Sequence, residues 1–417
     1  MTSPGIAQPT TPEDEALLRR NVRSVIIDGV GVGIVVGVQM FLPVFLARLG
    51  ASSLLVGLLT ALPALAGVLL AIPMGQFLAQ RRNVVPWYSR ARVLVQLSLI
   101  PIGIAPFFFT NEQVALLVIA VWAIITIPLT MVNITFTVVM GAVAGPRRRQ
   151  YLMSRRWSVL GATTAVTVAG IGYALDRVMF PLNYQIAFIA SAVGGMVSFF
   201  FSQQISVPDN DPAARANARS QHLGLRESMA LLRRTPAFGR FVVMAFVFNL
   251  GFMMALPLFP LYFVREVQAS DFSIGLINTV NSGVALVGYF LWTQFTRRKG
   301  NVLALRISLF GLACYPLLAS LTHDIALLTL LAALAGIFGA GMNLVLFDIQ
   351  LATVPPGEVP TYVAIYQVMT YVATLIGPLV GTALADTAGF GAALILAAAL
   401  RGAGAVLSIV LRVGETS

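Results

Sequence analysis

Residues 75–83 read GQFLAQRRN, and residues 293–301 read TQFTRRKGN. Each stretch closes a long apolar run, carries a Gln-Phe pair, and ends in a basic cluster and an asparagine. The likeness extends outward from both copies. At an offset of 218, Ala51, Ser52, Gly57, Leu58, Gln76, Phe77, Asn83 and Val84 meet Ala269, Ser270, Gly275, Leu276, Gln294, Phe295, Asn301 and Val302. One register earlier, Pro43 and Arg48 meet Pro260 and Arg265. A weaker echo at an offset of 210 pairs Asn133 with Asn343, Pro146 with Pro356 and Asp176 with Asp386. Such self-similarity marks two copies of one structural unit.

The medium in which those units fold follows from composition. Of 417 residues, 58% are hydrophobic and 10% charged, against about 25% charged in ordinary soluble domains. The apolar residues form runs such as VALLVIAVWAIITIPLTMV at 114–132, long enough for a helix to cross a hydrocarbon core of about 30 Å. Within lipid only helices and closed barrels satisfy the backbone, and runs of this length exclude a barrel. The expected fold is an all-α membrane protein with twelve transmembrane helices in two parallel six-helix repeats. The expected spans are 24–47, 53–79, 90–110, 113–141, 156–177, 184–206, 240–264, 272–296, 302–321, 325–353, 361–385 and 388–411.

The organisation read from these spans is a cytoplasmic N-terminal segment 1–22, an N-terminal half 23–206, a linker 207–239, a C-terminal half 240–412 and a tail 413–417. In the linker Leu225, Met229 and Leu232 recur at helical spacing opposite Arg226, Arg233 and Arg234, which suits either a helix lying on the membrane or a solvated connection.

Orientation follows from the basic residues, which gather on cytoplasmic flanks. With the N-terminus inside, Arg48, Arg177 and Arg265 alone fall on external flanks, and Arg401 lies within the last span. The net charge of +11 is then a topology signal that requires no nucleic acid. The expectation is an integral plasma membrane protein with both termini cytoplasmic. Polar residues open the chain, so the first span reads as an uncleaved entry signal. One cysteine, Cys314, and two distant histidines, His222 and His323, provide neither a disulfide nor a metal-ligand cluster.

Twelve spans, parallel halves, a long middle loop and a basic loop after the second and eighth spans together resemble the major facilitator superfamily, over residues 20–412. In that family the loop has the form Gly-x-x-x-Asp-Arg-x-Gly-Arg-Arg. Here Gly75 fits, Ala79 stands at the Asp position, and Arg81 and Arg82 form the basic tail. In the second copy Trp292 replaces the glycine and Thr296 the Asp, followed by Arg297, Arg298 and Lys299. The resemblance implies that the Asp belongs to a network latching the halves. Without it, the basic residues read as membrane anchors or as a gating element of another kind. The fourth span lacks the Arg, and the fifth the Gly-Pro pair, that mark proton-driven drug antiporters. A Gly-Pro pair, Gly377 and Pro378, stands in the eleventh span instead.

Ionisable groups inside a membrane are costly and therefore informative. Asp28 lies in the cytoplasmic part of the first span and Asp348 in the cytoplasmic half of the tenth, and both are candidates for proton coupling. The alternative for Asp28 is a carboxylate paired with an arginine near the interface. Arg401 requires a counter-charge or backbone carbonyls to hold it.

Uncharged polar residues suggest a solute pathway. Thr126, Thr130, Asn133 and Thr137 share one face of the fourth span. Tyr366, Gln367 and Tyr371 belong to a broader face of the eleventh, which also carries Tyr362, Thr370 and Thr374. Asn278 and Asn281 lie in the eighth span, Asn343 in the tenth, and Gln39 and Asn249 near mid-depth in the first and seventh. Interhelical hydrogen bonding explains such stripes without any ligand, but they concentrate on spans that, by the resemblance, line the central cavity, which favours the pathway.

The functional expectation is a secondary transporter, working by alternating access on a small neutral or weakly charged amphipathic solute, with efflux ahead of uptake of a neutral metabolite. Rival classes are a polytopic membrane enzyme and a non-transporting sensor. No catalytic residue, cofactor or metal is expected, and the Gly-x-x-x-x-Gly-Lys nucleotide motif is absent. Expected partners are the lipid bilayer, a small-molecule substrate and protons, with no nucleic acid and with the chain acting as a monomer.

Overall fold

The computed structural model describes residues 12–79, 81–207, 234–353 and 359–415. The expected linker helix around Leu225, Met229 and Leu232 lies outside them. Among the described residues the structure is helical: α1 (Pro12–Gln39), α2 (Leu42–Arg48), α3 (Ser53–Ala79), α4 (Val85–Gln96), α5 (Leu99–Ile104) with a single 3₁₀ turn (Ala105–Phe107), α6 (Asn111–Leu175), α7 (Leu182–Gln203), α8 (Pro236–Arg265), α9 (Asp271–Lys299), α10 (Asn301–Ala319), α11 (Ile325–Ala352) and α12 (Val359–Val410).

Helix boundaries depart from the expected spans at three places. The first span is divided into α1 and α2, with Pro43 in the first turn of α2, where its missing N–H costs no hydrogen bond. The fourth and fifth spans join in the 65-residue α6, because the basic stretch between them contains one helix breaker, Pro146, which costs a single ladder bond. The eleventh and twelfth join in α12, interrupted at Gly389, whose φ of 88° and ψ of 161° are not helical.

Eleven stretches among the described residues are long and apolar enough to cross a membrane. The last, Ile365–Val410, has 46 residues and would measure about 69 Å as one straight helix, more than twice the hydrocarbon thickness. Divided at Gly389 it provides two crossings, and the total is twelve.

Two compact units form: Met1–Leu42 with Leu69–Gln221, and Pro43–Val68 with His222–Ser417. They depart from the two sequence halves at one place, because residues 43–68 belong to the second unit. Helix α3 is therefore shared, its first part in the second unit and its last eleven residues in the first.

In the first unit α1 packs on α6 and α7, and α4 packs on the same two helices. A Cβ on Gly31 would lie 2.5 Å from the Gly194 carbonyl oxygen, so glycine lets the backbones of α1 and α7 approach closely. In the second unit α8 packs on α12, α9 on α11, and α10 on both α11 and α12. Gly251 performs the corresponding task, a Cβ there falling 2.6 Å from the Ala397 carbonyl oxygen. The first and sixth crossings thus meet as the seventh and twelfth do. An aromatic core including Phe238, Phe241, Phe248 and Tyr362 fills the second unit.

Candidate functional site

The first unit contains a buried ionic cluster. Asp28 in α1 is fully buried, as are Arg92 in α4 and Arg156 in α6 to within a few per cent. Asp28 Oδ1 lies 3.3 Å from Arg92 Nε, and Oδ2 lies 3.4 Å from Arg156 Nη2. Ser198 in α7 donates its hydroxyl to Asp28 Oδ1 at 2.7 Å and accepts from Gln96 Nε2 at 3.3 Å. Four crossings converge on this carboxylate. The guanidinium groups also stack on rings, Arg92 over Tyr88 at 4.7 Å and Arg156 over Phe136 at 4.6 Å, an arrangement favourable for a desolvated cation. Two cations surround one anion here, so removing the carboxylate charge would leave like charges facing each other in a medium that screens them poorly.

The polar stripe on α6 is largely occupied with its own helix. Thr126 donates to the Ala123 carbonyl at 2.6 Å and Thr130 to the Thr126 carbonyl at 2.8 Å, and both are buried. Asn133 is exposed, while the side chain of Thr137 lies outside the described set. Gln39, the last residue of α1, is half-buried.

In the second unit Asn281 Nδ2 donates to the Ala332 carbonyl at 2.8 Å, a link between α9 and α11. Asn278 and Asn249 are half-buried. Asn343 is exposed and donates to the Tyr289 hydroxyl at 3.5 Å. On α12, Tyr362 is buried with its hydroxyl 2.7 Å from Thr235 Oγ1, and Tyr366 packs on Phe241 with ring centroids 5.5 Å apart. Gln367 is exposed. Tyr371 lies against Gly67, where a Cβ would come within 2.8 Å of the ring. Asp348 is exposed, 3.5 Å from Asn301 Nδ2.

Arg401 is buried among backbone carbonyls. It donates to Leu312 at 3.0 Å and to Gly251 and Phe252 at 3.4 Å, with its guanidinium 4.8 Å from the Phe252 ring centroid. Carbonyl dipoles and a π-face hold the charge with no acid among the described contacts.

The sequence model of the Major Facilitator Superfamily matches residues 25–313 and 241–417. The chain belongs to the major facilitator superfamily. No curated protein gives a match to the sequence. Among solved structures, a bacterial homologue of the iron transporter ferroportin is 14% identical, with 95% of this chain and 98% of that one aligned at a TM-score of 0.70. A bacterial homologue of the lysosomal transporter Spinster is 13% identical, over 98% and 99%, at 0.67. The nucleoside transporter NupG is 14% identical, over 95% and 98%, at 0.66. At these identities the likeness is one of fold.

The turns that carry the major facilitator loop signature are built without its acid. After α3, Arg81 stacks on Phe77 and Trp87, its guanidinium 4.2 and 5.0 Å from their centroids. Asn83 Oδ1 accepts from the Val85 backbone N–H at 2.9 Å and begins α4. In the second copy Arg297, Arg298 and Lys299 are exposed in the last turn of α9, where cations oppose the negative end of the helix dipole. A Cβ at Gly75 would meet nothing within 4 Å, and Arg82 is exposed.

Arg92, Arg156, Gln96 and Ser198 are missing from the residues that sequence reasoning selected. Both arginines passed as members of cytoplasmic flanks. Arg92 falls two residues inside the expected third span, 90–110, beside Arg90, where it reads as an anchor at the span's edge.

Proposed function

We propose that this member of the superfamily is a secondary transporter that moves a small, neutral or weakly charged amphipathic solute by alternating access, in the outward direction. The observation that carries the reading is how charge and polarity are distributed. The buried charges are engaged within the packing of their own units, while uncharged groups such as Gln39, Asn249, Asn278, Gln367 and Tyr371 remain half-buried or exposed. A pathway lined by amides, hydroxyls and phenols recognises a solute by hydrogen bonding and aromatic contact. The distribution of basic residues supports the plasma membrane with both termini cytoplasmic.

Protons are the coupling ion in this reading, and Asp348 is the carrier. A proton carrier must meet water during part of the cycle. Asp348 is exposed, whereas Asp28 is fully buried and engaged with two guanidinium groups. The test is transport by purified protein in liposomes under an imposed pH gradient, screened against dyes and metabolites. Asp348→Asn should abolish gradient-driven accumulation while solute exchange persists. Unchanged accumulation in that variant removes the proton assignment, and a wild type that moves no compound favours the enzyme or sensor classes.

A further inference from the structure

The cluster around Asp28 does not balance its charge. One carboxylate stands against two guanidinium groups, all three buried, and the surrounding sequence supplies no second acid. Between residues 29 and 208 the only acidic residues are Glu112 and Asp176. Glu112 lies past the far end of the crossing Val85–Phe107, which holds Arg92, and Asp176 past the far end of the crossing Arg155–Leu175, which holds Arg156. Asp176 is 20 residues beyond Arg156, about 30 Å along a helix. On the other side of Asp28 the nearest acid is Glu15, which forms an exposed ion pair with Arg19.

The same groups are short of hydrogen-bond acceptors. Among the described residues, Arg92 Nη1 and Arg156 Nε are buried without a partner, and Arg92 Nε approaches Asp28 Oδ1 at 3.3 Å without hydrogen-bond geometry. The buried hydroxyls of Tyr88 and Ser89 have no partner among them either. Tyr88 provides the ring beneath the Arg92 guanidinium, and Ser89 stands three residues before Arg92 on the same side of α4. Arg401 offers the contrast, since its Nε, Nη1 and Nη2 each donate to a backbone carbonyl. An uncompensated buried charge and unpaired buried N–H groups are each costly. A ligand that only accepts hydrogen bonds and carries negative charge corrects both, whereas water supplies acceptors without charge.

We propose that Arg92 and Arg156 hold a small monovalent inorganic anion of the halide class, with Ser89 and Tyr88 donating their hydroxyls to it. Charge sets the class: two guanidinium groups and one carboxylate leave a single positive charge, which a monovalent ion neutralises and a divalent oxyanion would exceed. Burial sets the size, because residues this enclosed admit an ion far more readily than an organic acid. The ion is a resident part of the first unit, and the assignment stands whatever solute the protein moves.

The test uses the purified full chain in mild non-ionic detergent, with sodium chloride exchanged stepwise for sodium gluconate at a constant ionic strength of about 0.15 M, so that screening does not change. Thermal unfolding of the wild type should show a saturable rise in Tm of about 2–4 °C with chloride, and equilibrium dialysis with radioactive chloride should give about one bound ion per chain. Bromide should displace it. Arg92→Gln removes the excess charge and should abolish both the rise and the bound ion, while Arg401→Met should keep both. Should Arg92→Gln fail to fold, Ser89→Ala decides, with an expected weakening of chloride binding of roughly tenfold. Equal Tm values in chloride and gluconate with no bound ion in the wild type overturn the proposal. So does chloride binding that survives Arg92→Gln, or that Ser89→Ala leaves undiminished when Arg92→Gln does not fold, since the ion then lies elsewhere on a chain of net charge +11.

Discussion

The two repeats solve one packing problem with opposite chemistry. Gly31 meets Gly194 where the first and sixth crossings touch, and Gly251 meets Ala397 where the seventh and twelfth touch. Four residues beyond Gly194 stands Ser198, which donates to Asp28; four residues beyond Ala397 stands Arg401, which donates to carbonyls. At matching places, the N-terminal copy builds an acid-centred cluster with two arginines and the C-terminal copy buries one arginine with no acid among its described contacts. The difference teaches that depth within a span does not distinguish the two charges, whereas their partners do: Asp28 is held by guanidinium groups and Arg401 by backbone carbonyls.

The largest effect is expected at Asp28. Asp28→Asn leaves two buried guanidinium groups without their counter-charge and should cost about 3–5 kcal/mol of stability, measured by denaturant titration of the purified protein in mild detergent. A variant of native stability that lost only proton-driven accumulation would make Asp28 a carrier and reverse the assignment. Arg401→Met should cost less, about 1–2 kcal/mol, because it removes charged hydrogen bonds while leaving no ion uncompensated; a loss as large as that of Asp28→Asn would equate the two sites. Ser198→Ala removes one hydrogen bond from the carboxylate and should cost about 1 kcal/mol by the same titration. The smallest effect sharpens the symmetry itself. Gln268 occupies the left-handed position that glycine fills in the other copy, so Gln268→Gly should raise stability by about 0.5–1 kcal/mol, and a loss of stability would deny that the turns are equivalent.

Crossings and repeats were legible in the sequence because both are written locally, as unbroken apolar runs and as Gln-Phe, basic and Asn signals at a fixed offset. Merged helices were not, since Pro146 and Gly389 look like equal interruptions although only Gly389 leaves helical geometry. Arg92 and Arg156 were unreadable as site residues because their partner, Asp28, is 64 and 128 positions away, and near a span boundary a buried arginine has the same spelling as an anchoring one. The polar stripes were visible as faces, yet for Thr126 and Thr130 the acceptor is a carbonyl of the same helix, which periodicity does not distinguish from a solute contact. Arg48 and Arg265 are legible as repeat equivalents, but their hydrogen bonds to the Ala269 and Ala51 carbonyls depend on chain reversals that no local pattern encodes.

Carrier-type transport by alternating access is distinguished from an open pathway by counterflow. Liposomes containing the protein are loaded with a high concentration of an unlabelled compound that the panel shows to move, then diluted into a trace of the same compound carrying a label. Alternating access predicts a transient overshoot, with internal label rising above its equilibrium level and then falling, because each inward trip of label is coupled to an outward trip of unlabelled solute. A monotonic approach to equilibrium at the same protein density would mean an open pathway and no alternating access.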